Sequence, residues 1–234
     1  CKGAEFERFS HLRVVDMIGG DASMREGWKS AICRRADTRS IHLDSDFFDI
    51  DVAYLISYAK ENDTLAEYED QRKTIESALI KGVNTVRTSS MGRLFDAAAS
   101  LLGIHHVNRY EGECAIMLEN AAARALQADE KKAETAERAL RTASGTPEAD
   151  ALALRFHRDV ARAVLTECGR AQAAHKTNRV CLSGGVFQNK ILMEETLRLL
   201  RNDGFTPYYN ISVPPNDGGI ALGQAYLAMQ CRQK

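Results

Sequence analysis

The sequence predicts an α/β layer structure, helical through most of its length, with strands gathered toward the C-terminal end. Two observations carry this expectation. First, two consecutive units near the C-terminus read as strand, glycine-rich turn and helix. These are Arg179–Leu182 followed by Ser183-Gly184-Gly185-Val186-Phe187-Gln188-Asn189, and Tyr208–Val213 followed by Pro214-Pro215-Asn216-Asp217-Gly218-Gly219. Units of this kind place both turns at one edge of a parallel sheet, where α/β proteins collect anionic ligands. Second, the segments before them carry apolar residues at helical rather than alternating spacing.

Taken in order, the first expected helix follows the turn Gly19-Gly20-Asp21, with Asp21 as N-cap and Ala22 to Ile32 as its body. Gly27 weakens that helix, because glycine lowers helix propensity. Phe47 to Tyr58 reads as a second amphipathic helix and Leu65 to Leu79 as a third. Thr88-Ser89-Ser90 supply an N-cap for Met91 onward, Leu94, Ala98, Leu101 and Leu102 recur with helical spacing, and Gly103 suits the C-terminal cap. Tyr110-Glu111-Gly112-Glu113 leads into an alanine-rich helix, about 115–128, with a charged continuation to about residue 141. Ser144-Gly145-Thr146-Pro147 is a break and restart, with Thr146 as N-cap and Pro147 at the first helical position. Leu152, Phe156, Val160 and Val164 then mark a buried stripe.

The 234 residues suffice for one large domain or two small ones, and 44% apolar with 27% charged residues is an ordinary globular composition. A net charge of −1 argues for neither a nucleic-acid nor an anionic-membrane partner. No apolar run approaches the roughly 20 residues of a membrane-spanning helix, and no signal peptide opens the sequence. Six scattered cysteines without a CxxC pair fit a reduced, cytoplasmic protein, with Cys168 and Cys181 acting as small apolar residues. The sequence begins at Cys1 rather than methionine and is read as a portion of something larger.

Several residues invite a functional reading beside a plainer one. The glycines of the first turn admit a ligand close to backbone amides, with the helix near Val186 or Asn189 aiming its positive end there; equally, a tight turn needs them for its dihedrals. Asp217 is a helix N-cap or a ligand for a hard metal or a hydroxyl. Asp96, between Phe95 and Ala97, reads by itself as a solvated helix position, and Gly112 as a loop residue. His105-His106 reads as surface loop rather than a metal pair, because no third ligand is near. His157 reads as a structural histidine, packed or exposed, rather than a catalytic base. No nucleophile elbow, zinc-protease, P-loop or kinase motif is present.

In combination these motifs resemble a known family. GGDASMRE-x-W, SSMGRLFDAAASLLG, YEGE, SGGVFQN and PPNDGG with Ile220-Ala221-Leu222-Gly223-Gln224-Ala225 are similar, in this order from about residue 18 to the end, to the C-terminal region of HypF. HypF is the carbamoyltransferase of nickel–iron hydrogenase maturation. The resemblance implies that residues 1–234 form the C-terminal portion of a TsaD-like domain, an α/β lobe of the actin-like ATPase (ribonuclease H-like) fold. It implies carbamoyl phosphate and ATP as substrates, carbamoyl-adenylate as intermediate, and transfer of the carbamoyl group to the C-terminal cysteine of HypE. By position, Asp96 matches a residue that holds the nucleotide ribose and Gly112 a glycine beside the nucleotide. Gly184, Gly185 and Asn189 match the nucleotide-facing turn, and Asp217 matches a ligand of a divalent metal. The family's paired metal-binding histidines, in an HxxxH arrangement, have no counterpart in this sequence, so the chain reads as one lobe carrying half a site. Two other readings are an O-carbamoyltransferase or tRNA threonylcarbamoyl transferase relative, and a non-catalytic interaction lobe.

Overall fold

A computed structural model of the chain describes residues 7–20, 24–37, 47–132 and 146–231. Its elements run β1 (His11–Leu12), β2 (Val15–Ile18), α1 (Gly27–Ala36), β3 (Phe47–Phe48), α2 (Ala53–Glu61), α3 (Glu69–Lys81), β4 (Thr85–Thr88), α4 (Met91–Leu101), α5 (Glu113–Lys132), α6 (Pro147–His175), β5 (Arg179–Leu182), α7 (Lys190–Asn202), β6 (Thr206–Tyr209) and α8 (Ile220–Cys231). The strands pair in twos among the described residues: β1 with β3 and β5 with β6 in parallel, β2 with β4 antiparallel. The expected helix-rich α/β class with a parallel pair near the C-terminus is what the chain forms, but the strands are not gathered there: β1 to β4 all lie before residue 89.

Local chemistry explains the elements that the sequence located well. Ser90 accepts from the Arg93 amide and opens α4, whose end is closed by Leu102 and Gly103, the latter at φ +66°. Thr146 accepts from the Ala149 amide with Pro147 at the first helical position of α6. Phe156 and Val160 of the expected stripe are fully buried, while Leu152 and Val164 pack at its margin. The main core gathers α1, α2, α4, α5 and α6 around Ile32, Leu55, Phe95, Leu118 and Phe156. Side chains of this size each contribute about 2 kcal/mol by leaving water.

Elsewhere the boundaries differ from expectation, for identifiable reasons. The first helix starts at Gly27, because Glu26 is held extended in a bridge to Val107. Asp21, its expected N-cap, lies outside the described residues, as do 133–145 and with them the end of the charged continuation. Phe47 and Phe48 form a strand against β1, and α2 begins only after Asp51 accepts from the Ala53 amide at 2.8 Å. In the third expected helix, a 3₁₀ turn at Ala66–Tyr68 precedes α3. The last strand is Thr206–Tyr209 rather than Tyr208–Val213. It starts as soon as Gly204, at φ +83°, has reversed the chain and the Thr206 amide has reached the Asn178 carbonyl at 2.8 Å. Pro207 is tolerated because this strand pairs on one side only among the described residues. Cys181, expected as a small core residue, is exposed on β5, and Cys168 is half-buried. Helix α8 leaves Ile220, Leu222, Tyr226, Leu227 and Met229 exposed. No helix among the described residues is long and apolar enough to cross a membrane.

Candidate functional site

Parallel pairing of β5 with β6, in register from Arg179 opposite Thr206 to Leu182 opposite Tyr209, brings the C-terminal ends of both strands to one edge. The two glycine turns leave from that edge and bond to one another. The Gly184 amide donates to the Pro215 carbonyl at 2.7 Å. Gly184 sits at φ +105°, a conformation that glycine adopts without strain. Gly185 opens a 3₁₀ turn over Gly185–Gln188, and a Cβ added to it would lie 3.8 Å from the Asn216 Cβ. In the second turn a Cβ on Gly219 would come within 2.7 Å of the Pro214 carbonyl oxygen, so the backbone closes there only around glycine.

Asn216, not Asp217, is the cap of the short Asp217–Gly219 turn, its side chain accepting from the Gly218 amide at 3.1 Å. The N-cap reading of Asp217 is thereby corrected, and Asp217 is an exposed residue of the turn.

Asn189 is 8% exposed and ends the first turn as the N-cap of α7. Its Oδ1 accepts from the Leu192 amide at 2.9 Å, and its Nδ2 donates to His157 Nε2 at 2.9 Å. His157 Nδ1 in turn donates to the Ala153 carbonyl at 2.8 Å. His157 is fully buried, and burial pushes its pKa down to about 4 against a small opposing pull from the Ala153 carbonyl. It is thus the packed structural histidine of the two sequence readings. The Glu119 carboxylate, reaching over from α5, accepts from the Lys190 amide at 2.7 Å. The start of α7 is therefore served by side chains of the protein itself. The Lys190 and Leu192 amides are thus the ones so occupied, and the backbone of the Gly184–Gly185 turn lies beside them at the sheet edge.

Asp96 and Gly112 belong to a second cluster, built by the other three motifs. The Met24 carbonyl accepts from Arg93 Nη1 at 2.8 Å and from Asn108 Nδ2 at 2.9 Å. The Asn108 amide donates to the Arg25 carbonyl at 2.6 Å, and its Oδ1 accepts from the Cys114 amide at 2.7 Å. One asparagine thus ties the early loop to the start of α5. Asp96 is 1% exposed, which overturns the solvated-helix reading; its carboxylate pairs with Arg93 at 2.8 Å. Burial raises its pKa above the ordinary carboxylate value, offset in part by Arg93 and by a bond from Asn108. Gly112, at φ +78°, accepts the first helical bond of α5 from the Ile116 amide at 2.9 Å.

The histidine pair that read as surface loop is also part of this cluster. His106 Nδ1 lies 2.7 Å from Ser100 Oγ and its ring packs on Tyr68, while His105 faces Glu113 at 3.4 Å. Glu113 is held below the usual carboxylate range chiefly by the Arg109 amide, which donates to it at 2.6 Å. Gly27, the residue that weakened the first helix, is explained here. A Cβ in its place would meet Cys114 Sγ at 3.0 Å and the Asp96 carbonyl at 3.2 Å, so α1 seats on α4 only with glycine.

The two clusters meet through the core. Phe95, next to Asp96, sets its ring edge-on to His157 at 5.3 Å, and His157 holds Asn189. Sequence reasoning missed Asn108, Glu119 and Asn216. None carries a signal beyond its polar type, because each is recruited by a backbone group distant in sequence or by a local turn. A cleft of about 410 Å³ between α5 and α6, lined by Ala125, Leu154, Arg155, Arg158 and Arg162, contains none of the expected site residues. Among the described residues no three or more His, Cys, Asp or Glu side chains are grouped to hold a metal ion. Asp217 alone supplies fewer oxygens than a hard cation takes.

A family model described as carbamoyltransferase, Kae1-like domain, second subdomain, matches residues 1–224. Carbamoyltransferase HypF of Rhodobacter capsulatus is 34% identical over 229 residues, which cover 95% of this chain and 28% of that protein. The Synechocystis protein of the same name is 27% identical over 97% of this chain and 31% of its own length. The crystal structure of full-length HypF in the phosphate- and nucleotide-bound form superimposes with a TM-score of 0.71 at 25% identity, over 97% of this chain and 29% of that one. The structure of T. kodakarensis HypF gives 0.69 at 24% identity, over 97% of this chain and 30% of that one. The chain thus spans less than a third of the length of these relatives.

Proposed function

Because the chain belongs to the carbamoyltransferase Kae1-like domain family, as its second subdomain, we propose that it forms the nucleotide-facing lobe of a HypF-type carbamoyltransferase. The observation that carries this reading is the hydrogen-bonded pair of glycine turns at one sheet edge, Gly184 amide to Pro215 carbonyl. In this proposal the whole enzyme uses water to cleave carbamoyl phosphate to carbamate and phosphate. A carbamate oxygen then attacks the α-phosphorus of ATP, forming the oxygen–phosphorus bond of carbamoyl-adenylate as pyrophosphate leaves. The thiolate of the C-terminal HypE cysteine then attacks the carbamoyl carbon, forming the sulfur–carbon bond as AMP leaves. The setting is the cytoplasm.

The backbone of Gly184 and Gly185 lies against the phosphates, and Asn189 fixes that turn. Asp96 accepts from the ribose hydroxyls. Its carboxylate is turned inward toward Arg93, so the ribose enters as Arg93, the more exposed partner at 19%, swings out. Gly112 leaves room beside the nucleotide: no atom lies within 4 Å of where its Cβ would be. Asp217 contributes one ligand to a divalent metal, whose remaining ligands come from outside this chain.

Asp96→Asn, made in the complete polypeptide, tests the assignment. The substitution keeps the size of the side chain and one acceptor oxygen while removing the charge that faces Arg93. Titration calorimetry with ATP is expected to show binding weakened about ten-fold or more, the scale of a lost hydrogen bond to a charged group. An unchanged Kd in a folded variant overturns the assignment.

A further inference from the structure

We infer that His157 is a positioning residue for the nucleotide-facing turn, acting through Asn189 rather than by touching a ligand. The inference rests on the functional reading above for what the turn binds, but its structural content stands apart from it.

The donors and acceptors admit a single arrangement. The Ala153 carbonyl can only accept, so the proton of the neutral imidazole is on Nδ1 and Nε2 presents a lone pair. That lone pair requires a donor, which fixes the Asn189 amide with its NH₂ toward the ring and its oxygen toward the Leu192 amide. Flipping the amide would lose both bonds and set oxygen against lone pair and N–H against N–H. The ring itself is set edge-on against both Phe95 at 5.3 Å and Phe156 at 6.1 Å. Asn189 is also the last residue of the turn, its amide donating to the Val186 carbonyl at 3.2 Å. At the other end the turn is tied by Gly184 to Pro215. Of the two ties, the one through His157 runs into the main core, where Phe156 is fully buried. The core thereby sets the rotamer of Asn189 and, with it, the path of Ser183–Gln188. Burial keeps the imidazole neutral through the physiological range, so the arrangement does not depend on ambient pH there.

The test uses the complete polypeptide and two substitutions. His157→Gln places an amide oxygen where Nε2 was and keeps an acceptor for Asn189. His157→Asn keeps a donor near Ala153 but is too short to reach Asn189. Hydrogen–deuterium exchange followed by mass spectrometry reads the turn, and calorimetry with ATP reads binding. In His157→Asn, exchange over 183–189 and the Kd for ATP are both expected to rise about ten-fold, as for one lost hydrogen bond, while peptides from α4 keep wild-type exchange. His157→Gln is expected to restore both to within about three-fold. Wild-type exchange and Kd in folded His157→Asn, or equal impairment of the two variants, overturns the inference. If His157→Asn does not fold, Asn189→Ser replaces it, because its hydroxyl can still cap the Leu192 amide and is too short to reach Nε2. Unchanged exchange over 183–189 in Asn189→Ser then overturns the inference. A wild-type protein that does not bind ATP overturns the functional reading instead, and exchange alone decides the role of His157.

Discussion

Acidification should destabilise the wild-type protein more than its His157→Gln variant, by an amount fixed by the burial of the imidazole. The folded-state pKa of about 4 lies below the ordinary histidine value of 6.5. A depressed histidine pKa means that the unfolded chain takes up the proton first as pH falls. Stability from this group is therefore complete above the unfolded value, is lost progressively as pH drops from 6.5 toward 4, and falls no further below that. The full loss corresponds to about 3 kcal/mol, and about 2 kcal/mol of it is gone by about pH 5. Glutamine has nothing to titrate, so the difference between wild type and variant isolates the histidine. His106, also depressed by burial, is common to both and cancels. Urea unfolding followed by circular dichroism at about pH 8 and about pH 5 measures the effect, which at ordinary m-values is a midpoint shift of about 1 M. Equal acid sensitivity in the two proteins would refute a neutral, buried His157.

Three further outcomes follow from local geometry. Gly219→Ala drives a methyl to 2.7 Å from the Pro214 carbonyl and is expected to cost about 1–3 kcal/mol in thermal unfolding; Gly223→Ala, in α8 with nothing within 4 Å, should instead stabilise by up to about 1 kcal/mol. Thr146→Ala removes the N-cap of α6 and the partner of the Tyr58 hydroxyl, 2.9 Å away, so a loss of about 1–2 kcal/mol is expected, with Thr146→Ser recovering most of it.

The sequence was most informative where structure is decided within a few residues. Ser90 and Thr146 cap helices through an amide three positions on, and the glycine turns follow their strands directly, so both were readable locally. The β2–β4 pair went unrecognised. Its strands are four residues each, Val86 and Arg87 point to solvent, and the pairing joins segments about 70 residues apart. The burial of Asp96 was equally invisible, since the Arg93–Asp96 pair on α4 is met by Asn108 and the loop at Met24, arriving from two separate stretches. Choosing between Asn216 and Asp217 as cap needed the backbone, because both side chains can accept an amide and only the one in extended conformation, at φ −95° and ψ −163°, is placed to do so. Gly27 shows the converse. Its propensity argued against a helix, and close packing on Cys114 and Asp96 is why a glycine is there.

The bond from the Gly184 amide to the Pro215 carbonyl also governs how the two loops can change length. A residue inserted between Pro214 and Gly219 would carry the Pro215 carbonyl away from an amide fixed at φ +105°, so an insertion in one loop becomes a defect in the other. Length variation is better absorbed at Asn210–Ser212, an exposed stretch between the end of β6 and the prolines. The two loops therefore form a single unit of loop grafting, and exchanging either one between relatives requires exchanging both.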